Sequence, residues 1–250
     1  MISPRLLSLL VGAWLAVVPP LPAEPIIVAF GDSTTALRPP LSVYTELLAP
    51  RLAAELGVAV KMVNAGVPGN TTEHARQRLE ADVLEKRPDL VIVQFGINDS
   101  AMDVWKTPPV THTRVTKEAY RRNLEYFVAE IRRRGGQVMF MTPNPKQWSE
   151  AMRARYGKPP YRVEDPDGFN VNLRPFAQEM RQVAEEMKVP LLDVMAAYDD
   201  FQRANPGETL LGDGIHPNQA GQQMVTDLLV AFLRERTWLL QMKPPGDTSR

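Results

Sequence analysis

Cysteine is absent from the 250 residues of this chain. That excludes disulfides, thiolate nucleophiles and cysteine metal sites, and it leaves the redox compartment open. Neither charge is in excess, since 29 basic residues meet 29 acidic ones. A protein built to grip nucleic acid normally carries a basic surplus, so nucleic acid is not an expected partner. Histidine is scarce, with three in all. None stands at a metal-ligand spacing, and no metal or other cofactor is expected. The chain has no internal repeat. Beyond the N-terminus no apolar run is long enough to span a bilayer.

What remains is a globular composition. Hydrophobic residues make up 44%, and the length suits one core and one domain. The N-terminus reads as an export signal over residues 1–23. Arg5 supplies a weak positive start and Leu6 to Val18 an apolar stretch. Pro19-Pro20-Leu21-Pro22-Ala23 then breaks any helix and ends on a small residue. An uncleaved anchor or a buried first helix would share this pattern. The expected division is a signal at 1–23, a domain at 24–240 and a disordered tail at 241–250, where Pro244-Pro245-Gly246 sits among polar residues. The expected location is periplasmic or secreted.

Short β-branched runs alternate with helical patterns. Ile26–Phe30, Val58–Asn64, Asp89–Phe95, Gln137–Thr142 and Val189–Val194 are the strand candidates. Near-continuous apolar strands suit a parallel sheet covered on both faces. Tyr120, Leu124, Phe127 and Ile131 recur at helical spacing, with Gly135-Gly136 as a stop. Phe176, Met180, Val183 and Met187 form a second stripe. Segments 70–87 and 217–233 also read as helices, the latter opening on Pro217. Strand–helix alternation predicts a doubly wound α/β fold with right-handed crossovers. In such sheets ligands lie beyond the carboxyl ends of the strands.

The polar motifs fall at those ends. Gly31-Asp32-Ser33-Thr34-Thr35 follows the first strand, and Asn64-Ala65-Gly66 ends the second. Gly96-Ile97-Asn98-Asp99 follows the third, and Asp213-Gly214-Ile215-His216-Pro217 precedes the last helix. Ser33 taken alone could be a helix N-cap. Asp-x-x-His places a carboxylate where it can fix the tautomer of His216 and leave the other ring nitrogen free as a base. Asn98 can donate to an oxyanion or satisfy its own turn. Gly66 offers an unobstructed N–H or simply a turn. His74 and His112 lack a carboxylate placed like Asp213. Two long stretches, Ser100–Thr113 and Pro143–Phe169, leave from strand carboxyl ends and should border the site, unless they only pack their own aromatics. They make Trp105, His112 and Trp148 candidates for substrate contact, beside Asp32 and Asp99.

These four ordered blocks resemble those of the SGNH hydrolases, also called GDSL-type esterases, over about Ile26 to Leu233. Thr34 stands where the family name has leucine. The resemblance implies a three-layer α/β/α, flavodoxin-like fold with a five-stranded parallel sheet and no metal. It implies Ser33 as nucleophile, His216 as base and Asp213 as its partner. It also implies an oxyanion hole of the Ser33 N–H, the Gly66 N–H and the Asn98 side chain. The Gly-x-Ser-x-Gly elbow of the α/β-hydrolases is absent, with Thr35 at the last glycine position. No Gly-x-Gly-x-x-Gly follows the first strand, which sets a dinucleotide-binding protein aside.

The expected activity is hydrolysis of carboxylic esters, with O-acetyl groups on carbohydrates as the favoured substrate and a small-molecule or glycan ester as the partner. A lysophospholipase or acyl-thioesterase is the alternative, and a non-catalytic glycan-binding module on the same fold is a second. Asn70-Thr71-Thr72 and Asn98-Asp99-Ser100 both match a glycosylation pattern. The sequence leaves the oligomeric state undetermined.

Overall fold

The computed structural model describes residues 24–241. The expected export signal and all but Gln241 of the expected tail lie outside the described residues. Five strands form one parallel sheet: β1 (Ile26–Gly31), β2 (Lys61–Gly66), β3 (Leu90–Gln94), β4 (Gln137–Met141) and β5 (Leu191–Leu192). Their order is β2-β1-β3-β4-β5. The chain steps outward from β1 to β2, then crosses back to build β3, β4 and β5 on the other side. Such an order opens a crevice beyond the carboxyl ends of β1 and β3, where adjacent connections leave in opposite directions.

Period-two alternation sends successive side chains to opposite faces. Val28, Phe30, Val91, Val93, Val138 and Phe140 face one layer. Ile27, Ala29, Leu90, Ile92, Met139 and Met141 face the other. The first layer is made by α2 (Thr72–Asp82), α3 (Lys117–Arg133) and α5 (Leu173–Glu186). The second is made by α1 (Tyr44–Leu56), α6 (Val194–Ala204) and α7 (Gln219–Arg234). A short helix, α4 (Glu150–Tyr156), lies in the connection after β4. This is the three-layer α/β/α arrangement that the alternation and the resemblance imply.

Several local expectations shift. Helix α1 is not signalled by its sequence, because Pro50 sits in its middle and removes one backbone donor. It ends at Gly57 in the left-handed region, and the chain runs three more residues before pairing. The second strand therefore starts at Lys61 rather than Val58. The fifth shrinks to two residues because Asp193 caps α6, with its side chain accepting from Ala196 N–H. Asn218 caps α7 in the same way, so Pro217 precedes the cap instead of opening the helix. Ser33 caps no helix. It sits in a turn held by Asp32 O, which accepts from Ala36 N–H at 3.0 Å, and the first helix begins only at Tyr44.

Asp99 fastens the sheet to the first helical layer. Its Oδ1 accepts from the Thr72 N–H at 2.8 Å and the Thr72 hydroxyl at 2.6 Å, at the start of α2. Its Oδ2 is buried with no hydrogen-bond partner among the described residues. Burial pushes this carboxyl up to about 7 against the Thr72 hydrogen bonds. A carboxyl whose folded value exceeds the unfolded one stabilises the fold most below about pH 4, and that contribution is lost as pH rises toward about 7. Asp99→Asn keeps the Oδ1 acceptor and cannot ionise. Its urea midpoint is expected to fall less than that of the parent between pH 5 and pH 8, and parallel pH profiles would refute the buried neutral carboxyl. In the same layer Phe127 is fully buried, with its ring 5.4 Å from that of Phe30 and 6.2 Å from that of Phe95. Phe127→Ala is expected to cost about 3–5 kcal/mol in urea unfolding, because a void that size cannot close between two packed rings and a sheet.

Candidate active site

The crevice beyond β1 and β3 holds a pocket of about 340 Å³ that includes Ser33, Asn98 and His216 in its wall. Two distant loops meet there. The turn after β1 presents Ser33. The loop before α7 presents His216, pinned by Gly212 N–H to His216 O at 2.8 Å and by Asn218 N–H to Leu210 O at 2.8 Å. His216 Nε2 lies 2.9 Å from Ser33 Oγ. His216 Nδ1 lies 2.7 Å from Asp213 Oδ2.

Asp213 is positioned by its own loop. Its Oδ1 accepts from the N–H groups of Ile215 at 2.9 Å and His216 at 2.8 Å. Partial burial works against its charge, yet the His216 N–H, the imidazole and the Ile215 N–H outweigh it and hold the carboxyl below its ordinary value. An ionised Asp213 accepts from Nδ1–H. That leaves the Nε2 lone pair facing the Ser33 hydroxyl, an arrangement that can take the hydroxyl proton.

Asn98 is fixed at both ends. Its Nδ2 donates to Asp32 Oδ2 at 3.2 Å, and its Oδ1 accepts from Arg114 Nη1 at 3.1 Å. One N–H of the amide is left to donate elsewhere. Arg114 is itself braced by Asp103, with its Nη2 2.7 Å from Asp103 Oδ1. No motif in the sequence points to Arg114, which stands directly after the long stretch Ser100–Thr113. Asp32 is buried beneath the turn, its Oδ1 accepting from the Thr34 N–H and hydroxyl, both at 2.9 Å. Burial raises its carboxyl despite the opposing Thr34, His216 and Asn98 contributions.

The structure corrects the choice of glycine. The Gly66 N–H already donates to Asn64 Oδ1 at 2.9 Å. A Cβ on Gly66 would lie 2.3 Å from Ala36 N, so the residue serves close packing of β2 against the Ser33 turn. Three residues on, Gly69 lines the pocket with φ of +78°. Its N–H has no partner among the described residues, and neither does that of Ser33. A signal for Gly69 was present in the sequence: it opens Gly69-Asn70-Thr71-Thr72, the polar turn that leads directly into a helix.

The candidate substrate contacts fare differently from the Ser33–His216 pair. None of Asp32, Asp99, Trp105, His112 and Trp148 lines this pocket. Asp32 and Asp99 are buried outside its wall, with the Oδ1 of Asp32 held by Thr34 and the Oδ1 of Asp99 by Thr72. Trp105 is 40% exposed, with the Arg155 guanidinium 4.4 Å from its ring. His112 is exposed and faces the Thr113 carbonyl at 3.0 Å. Trp148 stacks on Phe169 at 4.5 Å and borders a different groove. The aromatics after β4 thus pack one another, and of them Tyr156, Tyr161 and Phe169 reach the pocket.

That same connection braces the His216 loop. Gln147 N–H donates to Gly214 O at 2.8 Å, Ser149 Oγ to Asp213 O at 3.1 Å, and Asn144 Nδ2 to Ile215 O at 2.9 Å. Among the described residues no helix is long and apolar enough to cross a membrane.

Comparison with known proteins places this geometry. The family model for the GDSL-like lipase/acylhydrolase family matches residues 29–224, a stretch that holds Ser33, Asn98, Asp213 and His216. The uncharacterized lipoprotein YqeF of Bacillus subtilis (strain 168) is 31% identical over 177 residues, 67% of this chain and 69% of its own length. An acetylxylan esterase of Geobacillus stearothermophilus is 29% identical over 184 residues, 72% of this chain and 73% of its own. Among solved structures, a lipase/acylhydrolase from Enterococcus faecalis superposes with a TM-score of 0.64 at 27% identity, over 88% of this chain and 100% of that one. The chain belongs to the GDSL-like lipase/acylhydrolase family, and its enzyme class is carboxylic ester hydrolase.

Proposed function

We propose that this protein is an exported serine esterase that removes O-acetyl groups from carbohydrates through a Ser33–His216–Asp213 acyl-enzyme mechanism. The observation that carries the mechanism is the unbroken chain of contacts from Asp213 Oδ2 through the imidazole to Ser33 Oγ, at 2.7 and 2.9 Å. Ser33 attacks the ester carbonyl carbon while His216 Nε2 takes its proton. The tetrahedral oxyanion accepts from the Ser33 N–H, the Gly69 N–H and the free N–H of Asn98. The C–O bond then breaks as His216 returns the proton to the leaving alkoxide. Water attacks the acyl-enzyme by the same route and releases the acid.

A glycan acetyl ester is favoured by the acetylxylan esterase among the relatives. Export is favoured by the pattern of residues 1–23, and the hydrolase domain would then occupy 24–240.

Ser33→Ala is expected to reduce hydrolysis of 4-nitrophenyl acetate to the uncatalysed background. Asn98→Ala is expected to lower kcat by about 10²–10³ with a smaller change in KM, since the lost donor acts mainly in the transition state. Wild-type rates from Ser33→Ala would refute the mechanism. Across 4-nitrophenyl esters of increasing chain length, kcat/KM is expected to be highest for acetyl. A maximum at octanoyl or longer would replace the deacetylase reading with a lipid esterase.

A further inference from the structure

The pocket beside Ser33 is locally positive. Arg38, Arg114 and Lys146 line it and no Asp or Glu does, although charges balance across the chain. Arg114 is committed to Asp103 and Asn98. Arg38 reaches the Ser33 carbonyl at 3.4 Å.

Lys146 has no such commitment. It is 3% exposed. Its backbone is clamped by the Asn170 side chain, which accepts from Lys146 N–H and donates to Lys146 O, both at 2.8 Å. Its Nζ makes no hydrogen bond or ion pair with any described residue. The groups around it are the Phe169 ring, with its centroid at 4.2 Å, and the Tyr161 ring, at 5.3 Å. Both rings line the same pocket. Among the described residues the unpartnered side-chain polar atoms fully sealed from solvent are Asp99 Oδ2, Asn144 Oδ1, Asn172 Nδ2 and Tyr198 OH. The Lys146 amine is not one of them; Lys146 lines this pocket and also the groove bordered by Trp148, but the two rings against its amine line this pocket and not that groove. Burial, with the nearby charge of Arg114, pushes this amine down to about 7. A buried cation with no counter-ion is unfavourable, and an incoming anion relieves it.

We propose that Lys146, with Arg114 beside it, receives a carboxylate carried by the alcohol portion of the substrate, so that the preferred ester is an O-acetyl group on an acidic sugar of the uronic acid type. This rests on the deacetylase reading, because an acetyl group has no charge of its own and the anion must then belong to the sugar. One uncommitted ammonium matches one negative charge.

The test is calorimetric binding of methyl glucuronide, methyl glucoside and acetate to the full chain and to Lys146→Met. The parent is expected to bind the glucuronide about tenfold or more tighter than the glucoside, the scale of one charge-assisted contact. Lys146→Met is expected to lose that difference. Equal binding of the two glycosides by the parent overturns the proposal. So does a preference that survives in Lys146→Met, or acetate binding as tightly as the glucuronide, which would make this a site for the released acid. If Lys146→Met fails to fold, as circular dichroism would report, the parent's discrimination among the three ligands decides alone. Turnover of 4-nitrophenyl acetate is measured in parallel. Its absence would refute the esterase reading without touching the glycoside result.

Discussion

Everything at this site depends on one contact across 183 residues of sequence, the 2.9 Å approach of His216 Nε2 to Ser33 Oγ. Neither loop could hold it alone. The Ser33 turn is rigid because it hangs from β1, whose neighbours on both sides are paired strands. The His216 loop hangs from no strand. It is held by its bridge between Leu211 and Pro217 and by three hydrogen bonds from the segment after β4. Effective positioning requires the reacting groups to stay within a few tenths of an ångström of their productive geometry. The long connection after β4 therefore serves as a brace. Its stacked aromatics form a small core that keeps Gln147 and Ser149 where they can reach Asp213 and Gly214.

Beneath the pocket lies a set of polar groups whose directions are all determined. Asp32 accepts from Asn98, Asn98 accepts from Arg114, and Arg114 donates to Asp103. A reversed Asn98 amide would set its NH₂ against the guanidinium and its oxygen against the Asp32 carboxyl. The network thus selects the orientation that leaves an N–H toward the pocket. Preorganised dipoles of this kind stabilise developing charge without reorganising during the reaction. The burial that raises Asp32 is the cost of building that network inside the protein.

The layers and the carboxyl ends of β1, β2, β3 and β4 could be read from the sequence because burial on two faces writes continuous apolar runs, as in Leu90–Val93. The Ser33, Asn98, Asp213 and His216 motifs could be read because each stands directly after a strand or before a helix. Gly66 misled because its place at the end of β2 looks the same whether its N–H is free or taken by Asn64. That distinction is tertiary. Trp105 and Trp148 misled for a related reason. An aromatic residue in a loop at the right edge of the sheet has the same sequence whether its ring faces ligand or another ring. Arg114 and Lys146 carry no motif at all. Their significance comes from what surrounds them, namely Asp103 and Asn98 for one and a wall of rings for the other.

That contrast bears on how specificity is built here. Ser33 and Asn98 come from short turns at the ends of β1 and β3, and Asp213 and His216 from the braced loop before α7. The pocket wall comes from the long connections after β3 and β4, which supply Arg114, Lys146, Tyr156, Tyr161 and Phe169. The two sets meet at Ile215, which packs on the aromatic cluster one residue before His216. A change in the cluster that moves Ile215 moves the imidazole as well. In this chain the wall and the hydrogen-bond chain are not independent modules, so substitutions among the aromatics should alter turnover as well as the choice of substrate.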